Sequence, residues 1–268
     1  MATQTEVAVL SPNDVYTDGT TTPIELLDHN GVQIQHVSAE PKNTFSRFRK
    51  ITIVTQLSGI NLTCGAVNGL VVVGLPAITA DLALPQSLAF WPTSVASLAN
   101  ASTLLLAGSV ADSIGPRTVS LAGGVINGAF MIGAGVSQDG PQLVVMRAMQ
   151  GVGYAMHLAS SVSLVTSAFP RGRARNFAFG CLGLSQPLGF SFGLVLGGVL
   201  QDAIGWRAAW YIYGGLTLFL ALVGLWALPA KQLTRGVRRT LQNVKTSVDW
   251  TGTFLASLFM ALLSYLLA

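Results

Sequence analysis

Five polar residues, Arg147, Gln150, Tyr154, His157 and Ser161, recur at spacings of three, four, three and four inside the apolar stretch "QLVVMRAMQGVGYAMHLASSVSLV". At about 100° per residue they fall within roughly 80° of one another on a helix, forming one polar stripe. The stripe holds a permanent cation, an imidazole that titrates near neutral pH, a phenol and two neutral hydrogen-bonding groups. Such a set can bind a polar solute, pass a proton, or tie helices together. Covalent catalysis is outside its reach: no nucleophile stands beside a base, no spacing suits a metal, and no phosphate loop ends in Lys. The sequence therefore predicts neither an enzyme nor a cofactor or metal site.

The element carrying the stripe belongs in a bilayer. The 268 residues are 51% hydrophobic and only 10% charged, with a mean hydropathy of +0.56, whereas charged residues make up about a quarter of a soluble domain. A spanning helix needs about 20 mainly apolar residues. Seven such runs are expected, at 51–75, 90–111, 118–137, 142–168, 176–200, 207–228 and 250–268, separated by turn-rich breaks such as "DSIGPR" and "SQDGPQ". The fold expected is an all-α membrane bundle of six spans plus a seventh. Arg at mid-bilayer costs roughly 2.5 to 3.5 kcal/mol on insertion scales, so the Arg147 stripe is expected to face the bundle interior or a wet cavity.

Residues 1–50 contain six of the eleven acidic residues and show no sustained apolar period, so they are expected to form a disordered cytoplasmic tail. They lack the pattern of a cleaved signal peptide. Residues 230–249 read as a basic linker ahead of the seventh span. Thirteen of the fifteen Lys and Arg residues fall in alternate loops, which places the N-terminus in the cytoplasm and, with seven spans, the C-terminus outside. The same loops explain the net charge of +4 without a nucleic-acid partner. Cys64 and Cys181 lie in apolar runs and read as packing residues. The ending "FLASLFMALLSYLLA", inside an apolar run, is what a fragment or truncated product would show.

Other polar positions extend the pattern. Asn61, Gly65 and Asn68 make a shorter stripe on the first span. At 1.5 Å per residue, Asn68 lies roughly 12 Å from Pro76 and Arg147 roughly 8 Å from the start of its span, so both belong to the outer half. Arg147 is therefore expected to meet Asn68 or a carbonyl beside Gly65 or Gly69. No Asp, Glu or Lys lies deep in any span, leaving His157 as the only deep group that titrates near neutrality. Both readings of it stay open, a satisfied structural histidine and a proton carrier. Gln186 and Pro187 offer a polar contact and a kink on the fifth span. Gly189, Gly193 and Gly197, spaced by four, with Gly198 beside the last, would let helix backbones approach closely. Asn61-Leu-Thr63 and Asn100-Ala-Ser102 match a glycosylation sequon but lie within spans.

Several segments together resemble the major facilitator superfamily of secondary transporters. "GSVADSIGPRTVSL" resembles its signature between the second and third spans at Gly108, Ala111, Asp112, Gly115 and Arg117, with Ser113 and Pro116 in place of two basic residues. "VVMRAMQGVG" is similar to the fourth-span motif R-x-x-Q-G-x-G through Arg147, Gln150, Gly151 and Gly153. "GFSFGLVLGG" resembles the fifth-span antiporter motif, with Leu194 where the family has Pro. "VVGLPAITADLALP", "GWRAAWYIY" and "VDWTGTFL" look like the fourteen-span drug:proton antiporter branch, most like fungal aminotriazole-resistance and boron-efflux proteins. The resemblance begins near residue 51 and covers an N-terminal half.

The resemblance implies alternating access between two six-span bundles, with a small-molecule substrate near the midplane and protons as the coupling ion. Arg147, Gln150 and His157 would serve coupling. Gly108, Asp112, Gly115 and Arg117 would form the cytoplasmic gating motif. Asn61, Asn68, Tyr154, Ser161 and Gln186 would line the cavity. The partners expected are the lipid bilayer, the substrate, protons and a missing C-terminal half, in the plasma membrane first and the vacuolar membrane second. Efflux of a fungal metabolite or drug is the first expectation. A non-transporting or regulatory half is the alternative, and a borate, inorganic-ion or ammonium transporter comes third. Many relatives have an Asp in the first span where this chain reads Val67-Asn68.

Overall fold

The computed structural model describes residues 46–85 and 88–228, with five further residues between 252 and 262. The tail up to residue 45, the basic linker and most of the seventh span lie outside the described residues. Six helices follow in order: α1 (Arg47–Asp81), α2 (Trp91–Ile114), α3 (Pro116–Val136), α4 (Gly140–Ala168), α5 (Arg173–Ile204) and α6 (Trp206–Ala227). Among the described residues there is no strand. Helix α1 outruns its apolar run at both ends, starting at Arg47 inside the expected tail and continuing through Pro76 to Asp81. Arg49 secures its first turn, donating from Nε to the Ala227 carbonyl at 3.0 Å.

By length and composition, five of the six helices can cross a membrane; α4 is not among them. Its interruption is the polar stripe itself. All five stripe residues are buried inside the bundle, so the helix that hydropathy discounts is the one whose polar face other helices cover.

Lipid tails are as apolar as Leu, so helices in a bilayer associate through close packing and hydrogen bonds instead of hydrophobic drive. The packing partners show an internal order: α1 lies chiefly on α5, and α4 on α2 and α3, while α6 packs on α3 and α1. Exchanging the first three helices for the last three maps the α1–α5 contact onto the α4–α2 contact. Both triplets join their second and third helices through a single glycine, Gly115 at φ +113° and Gly205 at φ +84°. L side chains rarely adopt that backbone region, which fixes Gly at each turn.

The α1–α5 seam is backbone on backbone. A Cβ on Gly189 would sit 2.1 Å from the Leu62 carbonyl oxygen, and one on Gly193 2.0 Å from that of Ala66. Gly197 meets Leu70 at 3.0 Å. The seam is reciprocal, because Gly65 and Gly69 of α1 receive the Gln186 and Phe190 carbonyls of α5. Gly198 is no part of it: its nearest neighbour, Val73, is in ordinary contact at 3.7 Å, since it points about 100° away from the Gly189–Gly197 line.

The two ends of the bundle are tied differently. At one end Arg49 and Arg117 donate to carbonyls in the last turn of α6, Arg117 to that of Leu225, where unpaired carbonyls and the helix dipole favour cations. At the other end Asp81 of α1 pairs with Arg207 of α6, which also donates to the Ser137 carbonyl at 3.2 Å and stacks on Trp206.

Candidate functional site

Arg147 is fully buried, and its guanidinium is held on three edges and one face. Nη2 donates to Asn68 Oδ1 at 3.0 Å, Nη1 to Gln150 Oε1 at 2.9 Å and Nε to the Pro92 carbonyl at 3.0 Å. Trp210 of α6 lies against the guanidinium plane, 5.4 Å from ring centroid to Cζ, a contact worth about 2 kcal/mol when desolvated. The Asn68 contact meets the expectation from depth along the two helices. The carbonyl does not: it comes from α2, not from α1.

Local geometry explains the change. Gly65 and Gly69 are pressed against α5, so their side of α1 is closed to α4. Asn68, about 60° round from Gly65 and about 100° from Gly69, is turned off that seam and reaches Arg147. The expected Asn61–Gly65–Asn68 stripe is thus split between two neighbours. Meanwhile Gly151 brings α4 onto α2, where a Cβ would lie 2.3 Å from the Ala96 carbonyl. Pro92 and Arg147 each lie one turn earlier on these two helices, which puts the Pro92 oxygen at the guanidinium. Gly153 faces the opposite way and seats α3, 2.6 Å from the Asn127 nitrogen. Within R-x-x-Q-G-x-G the two glycines therefore serve different helices.

Beside the Arg147 network lies a cavity of about 30 Å³, room for about two waters. It takes Cys64 and Asn68 from α1, Ser97 and Asn100 from α2, Gln150 and Tyr154 from α4 and Gln186 from α5. Helices α3 and α6 contribute nothing to it. The Asn100 Oδ1 and Tyr154 hydroxyl are buried without a hydrogen-bond partner among the described residues. Unpaired buried polar atoms are costly and call for water or a ligand.

The structure brings together Asn68, Gln150, Tyr154 and Gln186 of the expected site. It leaves out Asn61, His157 and Ser161, although all three are buried. His157 sits deeper along α4 with both ring nitrogens engaged, Nδ1 with Ser120 Oγ at 3.1 Å and Nε2 with the Leu57 carbonyl at 3.3 Å. A carbonyl can only accept, so Nε2 carries the proton and Nδ1 accepts from Ser120. Ser161 turns back to the Leu158 carbonyl of its own helix. The gating-motif residues stay apart from the cavity, at the Arg49 end: Asp112 is exposed, Gly115 makes the turn and Arg117 holds α6. Gly108 has open space where a Cβ would be.

Ser97 and Asn100 escaped the sequence reading, which met Asn100 only within a sequon. Their i, i+3 spacing in "SVASLANAS" was the available signal. Among the described residues all four carboxylates, Asp81, Asp112, Asp139 and Asp202, lie at or beside helix ends, and the sole ion pair is Asp81–Arg207. Arg147 has no acidic counterpart there.

Residues 57–268 match the Major Facilitator Superfamily. Over 247 residues the chain is 38% identical to MFS-type transporter 1 of Pyricularia oryzae, covering 82% of this chain and 40% of that protein. It is 32% identical to the puromycin resistance protein pur8 of Streptomyces alboniger over 63% of the chain and 34% of the relative. With the multidrug resistance protein Stp of Mycobacterium tuberculosis the identity is 30%, over 66% of the chain and 33% of the relative. The chain thus spans between a third and two fifths of the length of these three relatives. With six successive helices over residues 47–227, a fourth-span Arg-Gln pair seated by two glycines and a family match over most of its length, the chain belongs to the Major Facilitator Superfamily, a family of transporters and not of enzymes.

Proposed function

We propose that this chain supplies the N-terminal bundle of a proton-coupled exporter of a small organic compound. The observation that carries the reading is the convergence of α1, α2, α4 and α5 on one polar cavity beside the buried Arg147. Substrate sites of such transporters lie at the interface of two repeats near the bilayer midplane. Resistance names among the relatives favour drug or metabolite efflux. In this reading Arg147, with Asn68 and Gln150, reports occupancy of the cavity to α1 and α2 through hydrogen bonds that rearrange as the bundle rocks. His157 is a positioning residue between α1, α3 and α4. Gly108, Asp112, Gly115 and Arg117 guard the cytoplasmic end, and the basic end of the bundle faces the cytoplasm at the plasma membrane.

A second reading has a specific observation behind it. The deep, described residues offer no carboxylate to carry a proton, which favours a non-transporting or regulatory half. The purified chain in liposomes with an imposed pH gradient separates the two. Uptake of a fluorescent drug by the chain alone supports an independent exporter. No uptake by the chain, where a full-length relative transports, overturns independent transport in favour of the non-transporting or regulatory half.

A further inference from the structure

We infer that the cavity between α1, α2, α4 and α5 takes the carboxylate or similar anionic group of an organic compound, which supplies the counter-charge that Arg147 lacks among the described residues. The inference rests on the transport-site reading above and names the class of its substrate.

A guanidinium keeps its proton in proteins, and a buried charge without a partner is costly enough that structures normally provide one. Around Arg147 they provide only neutral acceptors: Asn68 Oδ1, Gln150 Oε1 and the Pro92 carbonyl. Those bonds also decide how the cavity is polarised. Because the amide oxygens of Asn68 and Gln150 point at Arg147, the groups that these two cavity-lining amides can offer elsewhere are their NH₂ donors. Tyr154 adds a buried hydroxyl with no partner among the described residues, and Ser97 adds another hydroxyl in the cavity wall. Asn100 and Gln186 complete the polar wall with amides whose O and N ends are interchangeable by rotation. The cavity wall thus presents donors, backed by a full positive charge one side chain away.

Among the described residues no carboxylate lines the cavity, so the wall offers a cation no opposite charge. Coulomb attraction to a buried unit charge one side chain away, in a medium far less polarisable than water, favours an anion over a neutral isostere and disfavours a cation.

Cys64 lines the cavity and serves as reporter. In the full chain carrying Cys181→Ala, held in nanodiscs at constant ionic strength, Cys64 is converted to its methyl disulfide by the uncharged reagent methyl methanethiosulfonate, with methanesulfinate as the leaving group. Acetate, acetamide and acetamidinium, three probes of one shape and different charge, are compared as protectants. Acetate is expected to halve the rate of this disulfide formation at a concentration at least about tenfold below that of acetamide, with no protection by acetamidinium. Arg147→Gln should bring acetate and acetamide together; should that variant fail to fold, the three probes on the Cys181→Ala chain still decide. Equal protection by acetate and acetamide, stronger protection by acetamidinium, or none by any probe overturns the inference. Protection by acetate without flux in liposomes overturns only independent transport, while flux of cationic drugs with no protection by acetate overturns only the anion assignment.

Discussion

The two ends of the α4 stripe are built from the same material and do different things. Arg147 and His157 are both fully buried, ten residues apart on one face, and both reach across to α1. Around His157 the hydrogen bonds close: Ser120 and the Leu57 carbonyl occupy both ring nitrogens, and the imidazole becomes a pin between α1, α3 and α4. Around Arg147 they do not close. Each of its nitrogens donates a hydrogen bond, but among the described residues its charge is uncompensated, and the adjacent cavity holds a phenol and an amide oxygen without partners there. Burial of a polar group is therefore a poor guide to function in a membrane bundle. Residual valence in its surroundings is the better guide.

Four substitutions test this contrast, from the largest effect to the smallest. Arg147→Ala removes two charge-assisted bonds between helices, each worth about 1.5 to 3 kcal/mol, and should lower transport in liposomes by about 100-fold or more. Membrane insertion, measured by protease protection, should be unimpaired, because a charge has left the span. Normal flux in this variant would break the contrast at its strong end.

Gly151→Ala drives a Cβ into the Ala96 carbonyl and should push α2, with its Pro92 oxygen, away from Arg147. Overpacking of this kind costs about 1 to 3 kcal/mol, seen as a lower thermal midpoint in detergent, and acetate protection of Cys64 should fall with it. His157→Ala should cost about 1 to 2 kcal/mol of stability from two lost bonds. It should leave the half-protecting acetate concentration within about twofold of the parent, since a structural pin moves stability and not ligand affinity. A tenfold loss of acetate affinity would erase the distinction between the two ends. Tyr154→Phe deletes a hydroxyl that has no partner among the described residues, so stability should change by less than about 0.5 kcal/mol while acetate binding weakens by a few-fold.

Much of the site was legible because helical period and depth are properties of the chain. The stripe on α4 could be read from its 3–4 spacing, and the Asn68–Arg147 contact from distances along two helices. The glycine seam on α5 could be read at Gly189, Gly193 and Gly197, but its partners could not, and Gly198 lay beyond it. The Pro92 and Leu57 carbonyls left no trace in the sequence, since every residue carries a carbonyl and only helix packing selects which one meets a side chain. Asn100 was visible but uninterpretable, because its value depends on facing Tyr154 and Gln186 from two other helices.

Sequence by itself determined the membrane character, the helices and the face on which α4 carries its polar groups, because apolar length and a 3.6-residue period act locally along the chain. Only the tertiary structure decided that Arg147 borders a cavity and His157 does not. That decision rests on which helix each glycine admits to close contact: Gly151 admits α2 and places a carbonyl at the arginine, while Gly65 and Gly69 admit α5 and turn Asn68 towards it. Close approach is a relation between two surfaces, and one strand of sequence holds only half of each.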